Sequence, residues 1–536
     1  MLHSILQRFL PHIFFSALAL VILLPLLSPG FIFALDMVFG PHIELPSDVR
    51  SSYLFYGALH ILNMAIPADA LQKILLLAIF LLAGIGAFRL AQTFALQNQP
   101  SWSFYIAGVL YAVNPFVYSR FMVGQFSVLL GYALLPLSLV LLWKFLQRPN
   151  LKNGGILVLT LLVLSIVSIH MAGIFILPAT VLFALNLYRI RQSLPKVRTL
   201  LIRTSVVIIS VLIGSLYWLI PAVAGSGHVA IITSFTPNDL LAFATYGGGL
   251  GIIGNILTLQ GFWAEGMNLY LKTQDLYSWW WLPLVGLWVV AILGFHALFK
   301  AQKDAAVSLL ILLVLTVGLA AGAASFFTLG YREPQKFAAV VAIVLSLLTG
   351  YGSYAIVRLV NNLHAQAFGS LLCLPLLFVL PLATAPLVFG GLHGQFQPRD
   401  YPQDWHMIRE RLHKEPSAKV VFLPWHMYME FSFAGKVIMN PAPAFFRNPV
   451  IISNDPEFRG AHAGHTTNDQ RRIESLLHNP KREDFTKELN LLSVKYVLLA
   501  KEFDYKKYAF IDDLGLIKIA DTENLILYKV TPEEAY

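Results

Sequence analysis

The sequence predicts a polytopic α-helical membrane protein of about 11 transmembrane helices, followed by a small extracytoplasmic α/β domain. Of its 536 residues, 57% are hydrophobic and only 12% are charged, whereas soluble domains are roughly 45–50% apolar and about 25% charged. Residues 389–536 carry 19 of the 38 Lys and Arg residues and 20 of the 29 Asp and Glu residues. We therefore expect a transmembrane domain over 1–389 and a soluble domain over 390–536.

Apolar segments long enough to cross a bilayer occur throughout the first part of the chain. A helix needs about 20 apolar residues to span the hydrocarbon core. The continuous stretch 153–187 is too long for one span, so we divide it near His170. The predicted spans are 10–28, 70–90, 101–118, 121–143, 154–169, 171–188, 203–223, 277–298, 305–322, 337–358 and 367–389.

The basic residues of the membrane part predict its orientation. Thirteen Lys and Arg residues fall on one side of the predicted bundle and six on the other, and the side richer in Lys and Arg is ordinarily cytoplasmic. The amino terminus is then cytoplasmic, and 11 crossings put the soluble domain outside, so we predict a multi-pass protein of the cytoplasmic membrane. The basic excess is explained by topology, and no nucleic-acid partner is expected. The single cysteine, Cys373, excludes an internal disulfide.

Acidic residues gather on the predicted outer face, where three long loops cover 29–69, 224–276 and 323–336. Eight of the nine acidic residues before residue 389 fall there, and carboxylates contribute little to topology. A functional outer face explains this skew, although longer outer loops with more polar residues of every kind would explain it too.

The first outer loop supplies the candidate catalytic carboxylates Asp36, Glu44 and Asp48. Arg332 and Lys336 precede a later span, and Arg120 lies near the tip of an outer hairpin. Arg and Lys at the headgroup layer suit binding of a lipid phosphate, and a nearby carboxylate suits acceptance of a proton from an acceptor hydroxyl.

Simpler roles remain open for each of these residues. Asp36 also fits a plain interfacial residue, Arg332 with Glu333 a surface ion pair, and Arg120 an anchor whose charge reaches the interface. A divalent metal ion, Mg²⁺ or Mn²⁺, held by oxygen and nitrogen ligands is a further hypothesis; its candidate ligands are Asp36, His42 and Glu44.

The sequence of residues 390–536, which we call the tail, predicts an α/β domain and contains no recognisable catalytic motif. Continuous apolar runs at 418–425 and 494–501 indicate buried strands, and the segment LGLIKIADTENLILYKV indicates a hairpin that turns at 521–524. Helices are expected over 400–415 and in the segments TNDQRRIESLLHNP and REDFTKELNLL. We expect a binding or supporting role for this domain.

The layout resembles the polytopic glycosyltransferases of the GT-C fold. The segments LYAVNPFVYSRFMVGQFSVLLGYALLPLSLVLLWKF, YREPQKF and LNLLSVKYVLLAKE are similar to arabinofuranosyltransferase-like and YfhO-like bacterial and archaeal membrane proteins. The resemblance implies that Asp36 is the first-loop base or metal ligand and that Arg332 contacts the donor phosphate. The family commonly has two adjacent acidic residues in that loop, whereas Met37 follows Asp36 here, which leaves Glu44 and Asp48 open as alternatives.

Residues and resemblance together predict a membrane glycosyltransferase of the cell envelope. It would move a sugar from a polyprenyl-phosphate donor to a glycan, lipid or protein acceptor on the outer face of the cytoplasmic membrane. Two alternatives remain: a non-catalytic membrane scaffold whose tail binds envelope partners, and a transporter or flippase of lipid-linked glycans. Transporters tend to show internal repeats and polar groups near the midplane, and neither pattern is visible in this sequence.

Overall fold

The computed structural model describes residues 2–46, 49–224, 237–323, 332–363, 368–457, 467–478 and 482–531. Up to residue 400 its regular elements are helices. The longer helices are Leu2–Leu23, Tyr53–Asn63, Ala68–Thr93, Ser101–Ala112, Pro115–Val123, Phe126–Gln147, Leu151–Val167, Ile169–Ile190, Leu194–Val223, Trp281–Ala301, Lys303–Ala320, Ala338–Leu363 and Phe368–Thr384. Shorter helices are Pro237–Ala242, Gly251–Leu257 and Thr273–Leu276.

Each of the 11 predicted spans falls on a helix. Among the described residues, nine helices are long and apolar enough to cross a membrane, and ten if one bent pair counts as a single span. That pair is Cys373–Thr384 with Pro386–His393, which meet at 73°. The remaining segment, Leu151–Val167, has 17 residues and is a shorter apolar helix. The predicted fold class is confirmed, with a span count slightly below the predicted one.

The predicted division of the stretch 153–187 coincides with a helix break. Leu151–Val167 ends at Ser168, whose backbone is extended (φ −155°, ψ 101°), and Ile169–Ile190 begins directly afterwards. Ser168 therefore interrupts the helical path, two residues before His170.

Two segments form the interior of the bundle. In the apolar stretches of Ser101–Val123 and Pro334–Asn362, 94% and 83% of the residues are buried, against 11% for Leu194–Val223. Helix Leu194–Val223 exposes Ile208, Ile209, Leu212 and Ile213, as expected of a helix that faces lipid. Both interior segments carry buried charges near the predicted outer face, as described below.

Strands appear after residue 418, as the sequence predicts. They are β1 Lys419–Leu423, β2 Tyr428–Phe431, β3 Lys436–Met439, β4 Val450–Ile451, β5 Val494–Ala500, β6 Ile517–Asp521 and β7 Leu525–Lys529. Five of them form a mixed sheet in the order β4-β1-β5-β7-β6, and β2 pairs with β3 in a separate antiparallel hairpin. The predicted buried strands are β1 and β5, and the predicted hairpin is β6–β7. Helices Gln403–Leu412, Ala442–Phe445, Asn468–His478 and Arg482–Leu491 accompany the sheet.

A left-handed turn joins the last membrane helix to this tail. Residues 390–394 all have φ between 56° and 69°. Three of the five are glycines, which adopt this conformation without the steric penalty that Leu392 and His393 carry. The turn redirects the chain so that Arg399 forms an antiparallel bridge with Phe31, through hydrogen bonds of 2.8 and 2.9 Å.

The first outer loop packs into the tail. The Tyr401 hydroxyl donates to the Phe39 carbonyl at 2.9 Å, and the Met439 backbone N–H donates to the Leu35 carbonyl at 2.8 Å. Gly40 lies so close to the Ala444 carbonyl oxygen that a Cβ atom would approach it to 1.7 Å. The tail and the first loop therefore share one interface.

Candidate functional site

Asp36 is held by the backbone around it. It occupies a tight turn between Ala34 and Met37, and its backbone N–H donates to the Val123 carbonyl at 2.8 Å. Gly124, which follows Val123, has φ 84°, and a Cβ atom on Gly124 would lie 2.7 Å from the Met37 backbone nitrogen. The end of helix Pro115–Val123 and the first outer loop are thus in direct contact, which defines where Asp36 sits.

Two side chains hydrogen-bond the Asp36 carboxylate. The Tyr428 hydroxyl, from strand β2 of the tail, donates to Asp36 Oδ1 at 2.9 Å. Gln125 makes a second side-chain hydrogen bond to Asp36. Because the Gln125 oxygen accepts from Arg120 at 2.5 Å, its amide NH₂ is the group that faces Asp36. The carboxylate thus has one partner from the tail and one from the membrane bundle.

This environment raises the pKa of Asp36 from 3.8 to about 6. Burial is the largest cause, and repulsion from Glu333 adds to it. The hydrogen bonds from Tyr428 and Gln125 and the attraction of Lys336 act in the opposite direction. Asp36 therefore stays ionised at neutral pH but is far more basic than a solvated aspartate. A carboxylate with a pKa close to the working pH is well suited to general-base catalysis.

A buried ion-pair network lies beside Asp36. Arg120 has no exposed surface and donates to Glu333 Oε2 at 2.7 Å. It also donates to Gln335, and its guanidinium stacks 3.9 Å from the centre of the Phe262 ring. Lys336 Nζ lies 3.3 Å from Glu333 Oε1. Arg120 lies near the end of Ser101–Val123, Glu333 directly precedes Pro334–Asn362 and Lys336 lies at its start, so these charges come from the predicted outer ends of the two interior segments.

Glu333 is the centre of that network. Burial alone would raise the pKa of its carboxyl. The cations Lys336, Arg120 and Arg332 outweigh burial and hold this pKa well below its usual range. Glu333 therefore remains a carboxylate and neutralises part of the positive charge around it.

Arg332 belongs to the same group of charges. It acts electrostatically on both Glu333 and Tyr428, and its guanidinium lies 4.2 Å from the centre of the Phe243 ring. The side chain is half-buried. Asp36, Tyr428 and Arg332 retain partial exposure, whereas Arg120, Glu333 and Lys336 are buried. We refer to these six residues as the outer charge cluster.

The other first-loop candidates have different partners. Arg447 Nη2 donates to His42 Nδ1 at 3.1 Å, and Arg447 Nε lies 3.9 Å from Glu44 Oε1. Asp48 lies outside the described residues. Within the described ranges, no group of three or more His, Cys, Asp and Glu side chains is arranged to hold a metal ion. Asp36, His42 and Glu44 therefore do not fit a shared Mg²⁺ or Mn²⁺ site.

Arg120 and Glu333 are more deeply buried than the sequence predicted. Arg120 is not an exposed tip residue, because the hairpin that carries it is enclosed and its guanidinium hydrogen-bonds protein groups. The predicted alternative of a surface pair between Arg332 and Glu333 is also incomplete, since Glu333 pairs with Arg120 and Lys336 in the interior.

Sequence reasoning missed Tyr428, a member of the outer charge cluster, and two residues close to the cluster, Gln125 and Glu265. Glu265 is buried, accepts from the Gly261 N–H at 2.9 Å, and has a pKa raised by burial from 4.5 to about 7. Arg120 and Lys272 act on it electrostatically. The only sequence signals were a polar residue after Gly124 and an acidic residue in an apolar loop. For Tyr428, nothing in the local pattern pointed to a site.

No family model matches the sequence. No curated protein matches it either. Among solved structures, the fold is similar to arabinofuranosyltransferase AftD from Mycobacteria, with a TM-score of 0.63, 16% identity and 97% of this chain covered. A mutant of AftD gives a TM-score of 0.63 at 14% identity over 98% of this chain. This chain covers 40–42% of AftD, so it spans less than half of that protein's length. The predicted resemblance is confirmed at the level of the fold.

Proposed function

We propose that this chain is a cell-envelope glycosyltransferase that moves a sugar from a polyprenyl-phosphate donor to a glycan, lipid or protein acceptor on the outer face of the cytoplasmic membrane. One observation carries the proposal: a carboxylate with a raised pKa lies in a cluster of cations that contains Arg332. The fold likeness to an arabinofuranosyltransferase supports it. In this proposal the amino terminus is cytoplasmic and residues 390–536 form the extracytoplasmic domain.

Asp36 is the general base of the proposed reaction. The acceptor hydroxyl oxygen bonds to the anomeric carbon of the donor sugar while the carbon–oxygen bond to the phosphate breaks. The hydroxyl proton passes to Asp36, and the electron pair of the broken bond leaves with polyprenyl phosphate. A pKa of about 6 gives an ionised base at neutral pH with useful proton affinity.

Arg332 is the donor-phosphate contact in the same scheme. A guanidinium can bind two phosphate oxygens at once, and Arg332 is the less buried of the two arginines in the outer charge cluster. Lys336 adds positive charge from below, and Arg120 holds Glu333 in place. Glu333 then prevents an excess of like charges when no donor is bound.

The deciding experiment replaces each first-loop carboxylate and measures sugar transfer from a polyprenyl-phosphate donor in membranes. Asp36→Asn should lower transfer by about 10²–10⁴-fold, the usual contribution of a general base. Glu44→Gln is the matched control, because Glu44 contacts Arg447 rather than the outer charge cluster, and should retain activity. Asp48→Asn tests the remaining candidate.

Loss of folding would not explain the expected result. The folded-state pKa of Asp36 is above that of a free aspartate, so its ionised form does not stabilise the fold at neutral pH. Asp36→Asn should therefore melt no lower than the wild type. Full transfer by Asp36→Asn, Glu44→Gln and Asp48→Asn alike would remove the first loop from catalysis and favour the scaffold alternative.

Replacement of Arg332 should separate donor binding from chemistry. Arg332→Gln removes the charge and should raise the KM for the donor about tenfold, the scale of one charge-assisted hydrogen bond. Arg332→Lys keeps the charge but loses the bidentate geometry, so its donor KM should lie between those of the wild type and Arg332→Gln. Steady-state kinetics with varied donor concentration would measure this. An unchanged donor KM in Arg332→Gln would exclude Arg332 as the phosphate contact.

A further inference from the structure

A second group of cations lies where the first outer loop meets the tail. A cavity of about 320 Å³ is lined by His42 from the loop and by Arg409, Glu410, His413, Arg447 and Asn448 from the tail. We call it the basic cavity. Ligand pockets usually begin at about 300 Å³, so it has room for a phosphate with a sugar-sized group attached.

One nitrogen of the Arg409 guanidinium, a group that lines the basic cavity, lacks an acceptor among the described residues. Arg409 Nη1 is buried, and no hydrogen-bond partner for it exists among the described residues. The Arg409 guanidinium carbon lies 5.2 Å from the centre of the Phe445 ring, which supports the side chain but accepts no hydrogen bond in the plane of the guanidinium. Buried donors are ordinarily satisfied, so a ligand acceptor that reached this nitrogen would supply the partner that the described protein groups do not.

The two arginines of the cavity repel each other. After burial, the largest influence on the pKa of Arg409 is Arg447, which lowers it, and the attraction of Glu410 is smaller. Glu410 is exposed, so water screens its charge more than that of the half-buried Arg409. Glu44 lies 3.9 Å from Arg447 Nε, beyond hydrogen-bond distance. An anion between the two guanidiniums would relieve this repulsion.

Two further lining residues, His42 and Asn448, are compatible with a bound anion. Arginine can only donate, so His42 Nδ1 accepts from Arg447 and the neutral ring carries its proton on Nε2. Burial, Arg447 and Arg409 lower the pKa of His42, which favours that neutral form. The Asn448 amide donates to the carbonyls of Glu415 and Ala418 at 2.8 and 3.1 Å and so anchors the wall beside Arg447.

We propose that the basic cavity is a binding site for a phosphate-class oxyanion, held by Arg409 and Arg447. The two guanidiniums supply paired donors that match phosphate oxygens. This site lies outside the outer charge cluster, and the proposal does not depend on the transferase reaction. The phosphate could be carried by a soluble phosphate monoester or by a lipid headgroup, and the chemistry of recognition is the same for both.

The test measures binding of inorganic phosphate to the full-length protein in detergent by calorimetry. Arg447→Gln and Arg409→Gln should each weaken binding by about tenfold or more, the scale of a charge-assisted hydrogen bond. Lys414→Gln is the matched control, because Lys414 is an exposed cation next to His413 that does not line the cavity. Arg447 is 44% exposed, so Arg447→Gln carries the test even if Arg409→Gln folds poorly.

Further arms identify the source of the phosphate and separate the two sites. Glucose 1-phosphate that binds more tightly than inorganic phosphate indicates a soluble monoester. Phosphatidic acid in nanodiscs that competes with inorganic phosphate indicates a headgroup. Absence of saturable phosphate binding at millimolar concentrations overturns the proposal. Binding that weakens in Arg332→Gln but is unchanged in Arg409→Gln and Arg447→Gln also overturns it, since the anion then occupies the outer charge cluster.

Discussion

Asp36 and Glu44 lie eight residues apart in one loop, yet their surroundings differ in almost every respect. Asp36 accepts from Tyr428 and sits above buried cations, and its pKa is raised to about 6. Glu44 is 48% exposed and approaches a single arginine, Arg447, at 3.9 Å. Closeness in sequence therefore does not place these carboxylates in one site. Different parts of the tail contact the two carboxylates: Tyr428 of β2 hydrogen-bonds Asp36, and Arg447 lies beside Glu44.

Substitution of the arginine near each carboxylate tests this difference in surroundings, and Arg120→Gln should have the largest effect on stability. Arg120→Gln leaves Glu333 buried with a weaker set of partners and should cost about 3–5 kcal/mol, as loss of one partner of a buried pair does. Arg447→Gln removes the exposed arginine near Glu44 and should cost about 0–1 kcal/mol. Thermal unfolding in detergent compares the two variants. Equal melting temperatures would mean that the two environments do not differ as described.

A pH profile sharpens the contrast between the carboxylates. A general base must be ionised, so kcat/KM for transfer should be level above the Asp36 pKa of about 6. Below that pH it should fall about tenfold per unit, as expected for a single titrating base. Glu44→Gln should leave this profile in place. A profile that stays level down to pH 4.5, well below the Asp36 pKa, would argue against Asp36 as the base.

The smallest expected effect concerns the hydrogen bond from the tail. Tyr428→Phe removes a donor that favours the ionised form of Asp36, so the acid limb of the profile should move to higher pH by about 0.5–1 unit, the scale of one hydrogen bond. Activity at pH 8 should change little. Tyr401→Phe is the matched control, because the Tyr401 hydroxyl donates to the Phe39 carbonyl in the same loop. If both variants shift the limb equally, the effect is one of loop packing rather than of the bond to Asp36.

The membrane helices and the main sheet were predictable because each has a local signature. Apolar runs of about 20 residues indicate spans, and the continuous apolar segments at β1 and β5 indicate buried strands. The hairpin β2–β3 was not predicted. The first strand alternates apolar and polar residues from Met429 to Phe431, but the second strand, KVIM, contains a continuous apolar run. The sequence therefore carries only half of the alternating pattern that indicates a hairpin.

The candidate site was predictable only in part, because its contacts join distant parts of the chain. Asp36 and Arg332 were recognisable as charged residues beside apolar spans. The burial of Arg120 was not, because its compensation comes from Glu333, 213 residues later. A charge enclosed by a bundle looks like an exposed loop-tip charge until its counter-ion is located. Tyr428 was not predicted for the same reason, since its partner Asp36 is 392 residues away in the sequence.

The bond between Tyr428 and Asp36 joins residues that are 392 positions apart, and this separation has a consequence for biosynthesis. At about 5–20 residues per second, roughly 20–80 s pass between synthesis of the first loop and synthesis of strand β2. During that interval the ribosome adds every membrane helix after the first, while Asp36 lacks the hydrogen bond from Tyr428 throughout. Any nascent chain that stops before residue 428 therefore carries an incomplete Asp36 environment, so the site is among the last parts of this protein to form.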